Sequence, residues 1–269
     1  MLFLEHRPAG ILAPMVEMLW LAQDPLAGVT AHRQRVLPNG RIQLILNLAA
    51  DHLTEVRDGG DQRQAPALVT GIQTCFQTIA TGDIVDLVGV VLRPGGFCPI
   101  FGTDADEFSD CETSLEAWLG READDLRSQL RETAAAEARF AILEGWLVER
   151  VMRGQRGRCP VTDFALAELR CGRPVREIAR RSGWSERTVS ERFRRQVGVT
   201  PKIFDRIVRF QRVVQQLHRA DARVEWSQLA LDCGFYDQAH FSHEFRAFSG
   251  ISATEYATSE RRWSNHLAL

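Results

Sequence analysis

Near the C-terminus four polar side chains, Arg187, Ser190, Glu191 and Arg194, recur three and four positions apart. On a helix that spacing puts them on one face. Their chemistry suits the edges of bases in a DNA major groove, where Arg donates two bonds to guanine, Ser bonds several bases and Glu accepts from cytosine. Further on, Gln238, Ala239 and His243 form a second set. Gln can bond adenine at two atoms, and Ala can touch a thymine methyl. Arg195 and Lys202, and in the second stretch Arg246 and Ser252, are displaced so as to meet phosphates, which fix register without carrying sequence information.

Presenting such faces requires helices set on a rigid support, and the sequence repeats one such device. Ile178, Ala179, Gly183 and Trp184 align with Leu229, Ala230, Gly234 and Phe235 at an offset of 51 residues. Beyond the turn, Val189, Phe193, Gly198 and Val199 align with Phe241, Phe245, Gly250 and Ile251 at an offset of 52, so the extra residue lies in the turn. Each copy, about 174–198 and about 226–250, has the pattern of a helix-turn-helix. In the first, Pro174 opens a supporting helix that buries Val175, Ile178 and Ala179. Gly183 takes the positive-φ turn position, Trp184 plugs the turn and Ser185 caps the next helix, whose inward side is Val189, Phe193 and Val197. In the second, Trp226, Leu229 and Ala230 support, Gly234-Phe235 turns, and Phe241, Phe245 and Phe248 point inward. Between them, Phe204, Ile207, Val208, Val214 and Leu217 lie on one stripe of a helix spanning Pro201 to Ala220. At about 16 to 18 residues it is roughly 25 Å long. Two major-groove visits on one duplex face are about 34 Å apart. A solvated helix always shows a polar face; the second copy is what favours DNA reading.

Charge divides the chain in the same place. Residues 1–154 carry 13 Arg against 22 acids, net −9, whereas residues 155–269 carry 20 basic against 13 acidic residues, net +7. A basic excess gathered in one small domain is what attraction to phosphate requires. At 269 residues, 45% of them hydrophobic, the chain has room for two domains with cores of their own. No run of about 18 apolar residues appears and the start lacks the basic-then-apolar order of an export signal, so the expected location is the cytoplasm, away from any membrane.

The expected fold class is α+β in two domains. Residues 1–153 form a β-rich sandwich or barrel that senses or dimerises, ending in a helical region at about 114–153. Residues 154–160 are a linker, 161–258 an all-α DNA-binding domain whose two motifs are joined by a long helix, and 259–269 a tail. Arg41 to Leu48 and Ile84 to Leu92 read as strands, separated by turn signals at Pro38-Asn39-Gly40, Asp58-Gly59-Gly60-Asp61 and Gly82-Asp83. Leu12 to Leu21 suits strand or helix. From Ser114 the apolar period lengthens to three and four through Leu115, Trp118, Leu126, Leu130, Phe140, Leu143 and Leu147, which is helical. Trp20, Arg41 and Arg93 are the polar and aromatic positions on apparent strands from which a small-molecule effector site could be built, although a structural role for each is the favoured expectation.

The C-terminal region, about residues 161–258, strongly resembles the DNA-binding domain of the AraC/XylS family of transcription regulators. The resemblance rests on Ile178-Ala179 with Gly183-Trp184-Ser185, on Phe193-Arg194-Arg195 with Gly198-Val199-Thr200-Pro201, and on the block from Ala230 to Arg246 followed by Gly250-Ile251-Ser252. It implies a bipartite helix-turn-helix fold of about seven helices in a bacterial regulator, activator or repressor, with double-stranded promoter DNA as ligand and often RNA polymerase as a partner. Glu191 and His243 stand where many relatives carry Arg, so the operator cannot be borrowed from them, and Ala253 stands where Pro is usual. The N-terminal half is similar to a domain of uncharacterised function found in front of such readers, through Leu37-Pro38-Asn39-Gly40, Leu44 to Leu48 and Leu92 to Gly96.

Other classes lack their residues. A metal-dependent cupin needs His-x-His with a later Glu and His, but His6, His32 and His52 are scattered. His240 and His243 have no third ligand at sensible spacing, so no metal is expected. Nor is a catalytic residue, a cofactor or an enzyme: nucleophile elbow, phosphate loop and dinucleotide fingerprint are all missing. The six cysteines form no Cys-x-x-Cys pair, which argues against zinc or a disulfide framework. The competing function is an architectural DNA binder without an effector, its N-terminal half serving only dimerisation. The chain itself is compatible with a monomer or a homodimer.

Overall fold

The computed structural model describes residues 2–24, 26, 32–57, 60–154, 156–219, 224–259 and 264–269. Asp58-Gly59 of one expected turn, Gln155 of the linker, Ala220 at the end of the long helix and 260–263 of the tail lie outside the described residues.

Alternating and β-branched runs give ten described strands in the N-terminal half: β1 Leu2–His6, β2 Val16–Gln23, β3 Arg33–Val36, β4 Gln43–Asn47, β5 Leu53–Arg57, β6 Gly60–Gln64, β7 Ala67–Thr70, β8 Gln77–Ala80, β9 Asp86–Leu92 and β10 Glu112–Ser114. The ambiguous segment before Leu21 is strand β2, entered through a 3-10 turn at Gly10–Leu12. Two antiparallel sheets result, one ordered β1-β2-β9-β4-β7-β10, the other β3-β8-β5-β6 with an unexpected outer strand, β11 His266–Ala268. The supposed tail therefore returns to the N-terminal half, where Leu37 N donates to Asn265 O and Leu269 N to Arg33 O. The tail's apolar stretch is only Leu267-Ala268-Leu269 and its strand only three residues long, too short for a period to show in the sequence.

Helices follow as the lengthening period requires: α1 Phe97–Phe101, α2 Leu115–Leu119, α3 Arg121–Glu132, α4 Ala136–Arg153, then α5 Pro160–Arg170, α6 Val175–Ser182, α7 Glu186–Val197, α8 Pro201–Arg219, α9 Trp226–Asp232, α10 Gln238–Ser249 and α11 Ala253–Thr258. Pro174 sits one place before α6, in extended backbone at its cap. The α8 helix has 19 residues, about 28 Å at the helical rise.

One face of the six-stranded sheet, carrying Leu19, Leu21, Leu44, Leu46, Val69, Val88 and Val90, packs toward the helices and joins an apolar core that continues into the C-terminal half. Its other face looks toward the second sheet. In the ladders Glu112 pairs with Thr70, Thr70 with Gln43, and Gln43 with Val91, so one row crosses four strands. Opposite stand Glu55, Gln77, Ile79 and, across the paired strands, Gln34, Val36 and His266. Gln77 Nε2 bridges the gap, donating to Glu112 Oε1 at 3.3 Å. No residue of β5, β6 or β8 belongs to the continuous apolar core, and the facing rows mix polar side chains with Val91, Ile79 and Val36.

That environment decides protonation. Burial, aided by the Glu55 carboxylate, pushes the Glu112 carboxyl up to about 7 from an ordinary 4.5. Burial alone takes His266 down to about 4, which keeps it neutral. Since the folded value of Glu112 lies above the unfolded one, its stabilising contribution is present below about pH 4.5 and lost as pH rises through about 7. Glu112→Gln is expected to raise thermal stability at pH 8, by something on the order of 2 kcal/mol, and to change it little at pH 5. Melting curves at the two pH values check this; a variant destabilised at pH 8 contradicts it.

Candidate nucleic-acid interface

The first reading helix is placed from its buried side. Val189, Phe193 and Val197 of α7 are at most 1% exposed, and Phe193 meets Phe204 of α8 edge-on with ring centroids 5.5 Å apart. Gly183, at φ +73°, turns the chain out of α6, a conformation that costs a side chain with Cβ extra energy. Ser185 then caps α7, its Oγ accepting from Thr188 N at 3.1 Å. With three inward positions fixed, Arg187, Glu191, Arg194 and Arg195 must point outward, and they are exposed; Ser190 is half-buried. Arg187 is the freest of them at 87% side-chain exposure, its Nε only 2.9 Å from Glu191 Oε1 one turn along. Trp184 does not plug the turn. It is 42% exposed, and the Arg192 guanidinium lies over its ring at 4.4 Å, so a surface cation covers what the core does not.

The second motif repeats the arrangement. Gly234, at φ +85°, follows α9; Asp237 caps α10, accepting from His240 N at 2.7 Å. Phe241, Phe245 and Phe248 are at most 2% exposed. Gln238, Ala239, His243 and Arg246 are exposed, with Gln238 Oε1 accepting from Ser227 Oγ at 3.2 Å. Ser252 is committed locally: its Oγ accepts from Glu255 N at 3.1 Å and its own N–H donates to Glu255 at 2.6 Å, closing a capping box on α11. Lys202 is exposed near the start of α8.

What the sequence reading missed lies across from α7. Arg195 Nε is 2.7 Å from Asp104 Oδ2, Arg194 Nη1 is 3.1 Å from Asp106 Oδ2, and Arg156 of the linker holds the other Asp104 oxygen at 2.6 Å. Ser109 Oγ donates to Gly198 O, and the Cys98 thiol to Arg195 O at 3.3 Å. The bond to Asp104 and its charge raise the Arg195 guanidinium above its already high value. A cleft of about 650 Å³ separates the acidic wall, Asp104, Asp106 and Glu107, from the polar face of α7. The signal was present as the acidic run Asp104-Ala105-Asp106-Glu107 in the half of opposite charge.

The effector candidates do not assemble. Arg41 binds Glu17 at 2.6 Å, Arg93 donates to Ala13 O at 3.0 Å, and Trp20 lies against Gly89 and stacks on Phe3 at 6.1 Å. Each serves its own loop or strand, and among the described residues no hydrogen bond, ion pair or ring contact joins any two of them. Also among the described residues, no group of His, Cys, Asp or Glu is arranged to hold a metal, and no helix is long and apolar enough to cross a membrane.

Two helix-turn-helix units on a common helical core define a DNA-binding regulator joined to a β-rich domain. Residues 165–259 match the family described as helix-turn-helix domain, and residues 4–114 one described as a domain of unknown function. The C-terminal half belongs to the AraC-type helix-turn-helix domains. No curated protein matches the chain. Among solved structures it is similar to an AraC-type regulator from Chromobacterium violaceum, 25% identical over 36% of this chain and 88% of the other, with a TM-score of 0.32. It is similar also to the C-terminal domain of AraT from Geobacillus stearothermophilus, at 16% identity over 37% and 84% with a TM-score of 0.34. ToxT from Vibrio cholerae is 9% identical over 89% and 96%, with a TM-score of 0.43.

Proposed function

We propose that this DNA-binding regulator reads a promoter through α7 and α10 and that its N-terminal domain controls the reading by holding α7. The carrying observation is the double ion pair of Arg194 and Arg195 with Asp106 and Asp104. A carboxylate at hydrogen-bond distance from a guanidinium stands where a DNA phosphate or base acceptor would stand. The same two arginines cannot serve both partners in full. A molecule that shifts the 104–109 segment therefore frees positive charge for DNA, and one that fixes it withholds that charge. Such an effector has to bind the held and free forms unequally.

In this reading Arg187, Ser190, Glu191 and Arg194 face bases, Gln238, Ala239 and His243 face the bases of the next groove visit, and Arg195, Lys202 and Arg246 take phosphates. Ser252 has its hydroxyl, N–H and carbonyl all spent on its helix cap and takes no phosphate in this reading. The architectural alternative, an N-terminal half that only dimerises, gives those aspartates no task.

The hold is tested by Asp104→Asn with Asp106→Asn. In fluorescence anisotropy at fixed salt the double variant is expected to bind both operator and random duplex about threefold to thirtyfold more tightly, since cations formerly paired become available for counterion release. Unchanged affinity means the pairs do not compete with DNA. The division of labour has a separate test. Arg187→Ala is expected to cost about 1–3 kcal/mol on the operator and to relax base preference, whereas Lys202→Ala weakens all sequences alike and lowers the salt slope by about one. Two variants with the same profile on operator and random DNA contradict it.

A further inference from the structure

We propose that the space between the two sheets, at the Glu112 end, binds a small molecule bearing an amine or guanidine cation. This rests on the reading above in that the cation is the effector of the N-terminal domain. The first observation is a half-buried carboxyl without a direct ion pair. Glu112 forms no ion pair among the described residues: the neutral Gln77 amide donates to it at a long 3.3 Å, and the Arg57 guanidinium acts on it only from beyond ion-pair distance. Glu55, on the facing sheet, has by contrast a direct cation, Arg57 Nε at 2.8 Å, and Gln64 Nε2 at 3.0 Å on the same oxygen. The second observation is independent of charge. Thr70, only 8% exposed and the ladder partner of Glu112 on the same face, has a buried hydroxyl without any hydrogen-bond partner. An orphan hydroxyl in such a place costs free energy unless something fills the gap.

Both deficits call for the same guest. A cation supplies the direct countercharge that Arg57, engaged by Glu55, does not give Glu112, and a donor or acceptor next to it satisfies Thr70. An anion meets two carboxylates, Glu112 and Glu55, and is repelled. Gln43, next in the row, extends the set to two strand spacings, roughly 10 Å, the reach of a guest of about six to eight non-hydrogen atoms. The surrounding inner face lies outside the continuous apolar core, so a guest there displaces the Gln77 amide rather than core side chains.

Isothermal titration of the full chain at pH 7.5 with agmatine and putrescine is the test, with glutarate and 1,5-pentanediol as anionic and neutral controls. At least one cation is expected to bind, the controls not at all. Glu112→Gln is expected to weaken binding tenfold or more while melting no lower than wild type, and Thr70→Val to weaken it severalfold. The site is overturned if neither cation gives heat, if the controls bind equally, or if Glu112→Gln binds as wild type does. Anisotropy with and without the cation separates the two levels. Cation binding that leaves DNA affinity unchanged supports the site and sinks effector control, while intact DNA binding with no cation binding sinks this site alone.

Discussion

Burial of one aromatic stripe governs what this protein can present to a partner. Phe193 in α7 and Phe241 and Phe245 in α10 are at most 1% exposed. Burying a Phe side chain is worth about 1.5–3 kcal/mol, more than any surface pair on the opposite face can offer. Once those rings are inside, helical geometry leaves the polar residues no choice of direction. The same rings tie both motifs to α8, through Phe193 against Phe204 and Phe210 against Phe245 at 5.2 Å. Each reading face is thus a by-product of the core, fixed before any DNA arrives.

On the proposed reading, that rigidity is what gives the acidic segment its leverage. The α8 helix also leans on the N-terminal half, where Gln211 Nε2 donates to Pro38 O at 2.6 Å and to Asn265 at 2.9 Å. On the far side, Arg35 reaches Ser249 O at 3.0 Å while lying over the Phe76 ring at 4.1 Å. With β11 closing the second sheet, the chain crosses between the halves at its linker and again at its end. Surface ion pairs alone seldom contribute much; backed by a shared apolar core, the pairs at Asp104 and Asp106 decide orientation more than they decide stability.

Motifs with strong periodicity were legible in the sequence. The 51-residue repeat located α6, α7, α9 and α10, because apolar spacing, a Gly in the turn and a capping Ser or Asp are local requirements. The inward residues of both motifs followed, and so did the two-sheet character of the N-terminal half. What local pattern does not carry is partnership at long range. Asp104 and Arg195 are 91 positions apart, and nothing in either stretch announces the other beyond opposite charge. For the same reason Trp20, Arg41 and Arg93 were attractive as isolated polar or aromatic positions but turned out to serve separate neighbours. The row Glu112, Thr70 and Gln43 comes from three strands far apart in sequence, so only the register assembles it. Trp184 was misjudged on composition: a large ring after a turn Gly looks like a plug, yet a neighbouring Arg can shelter it instead.

The two proposed sites are joined by very little chain. Asp106 and Glu112 are six residues apart, and the stretch between them is fastened at both ends. Ser109 Oγ binds Gly198 O just past α7, while Gly71 N donates to Cys111 O at 3.1 Å beside β7. In the middle, Asp110 takes positive φ, 53°, and its carboxylate accepts from Thr74 N at 2.6 Å and from Thr74 Oγ1 at 2.9 Å. Such a residue is costly unless its surroundings hold it, so the segment has few intermediate shapes available. A guest that draws Glu112 toward Thr70 acts on β10 at one end of this short strut, and the carboxylates gripping α7 sit at the other. On the proposed reading coupling needs no long pathway: one doubly anchored loop joins the guest site to the carboxylates that pair with α7, and a shift of that loop would change the charge left on the reading helix.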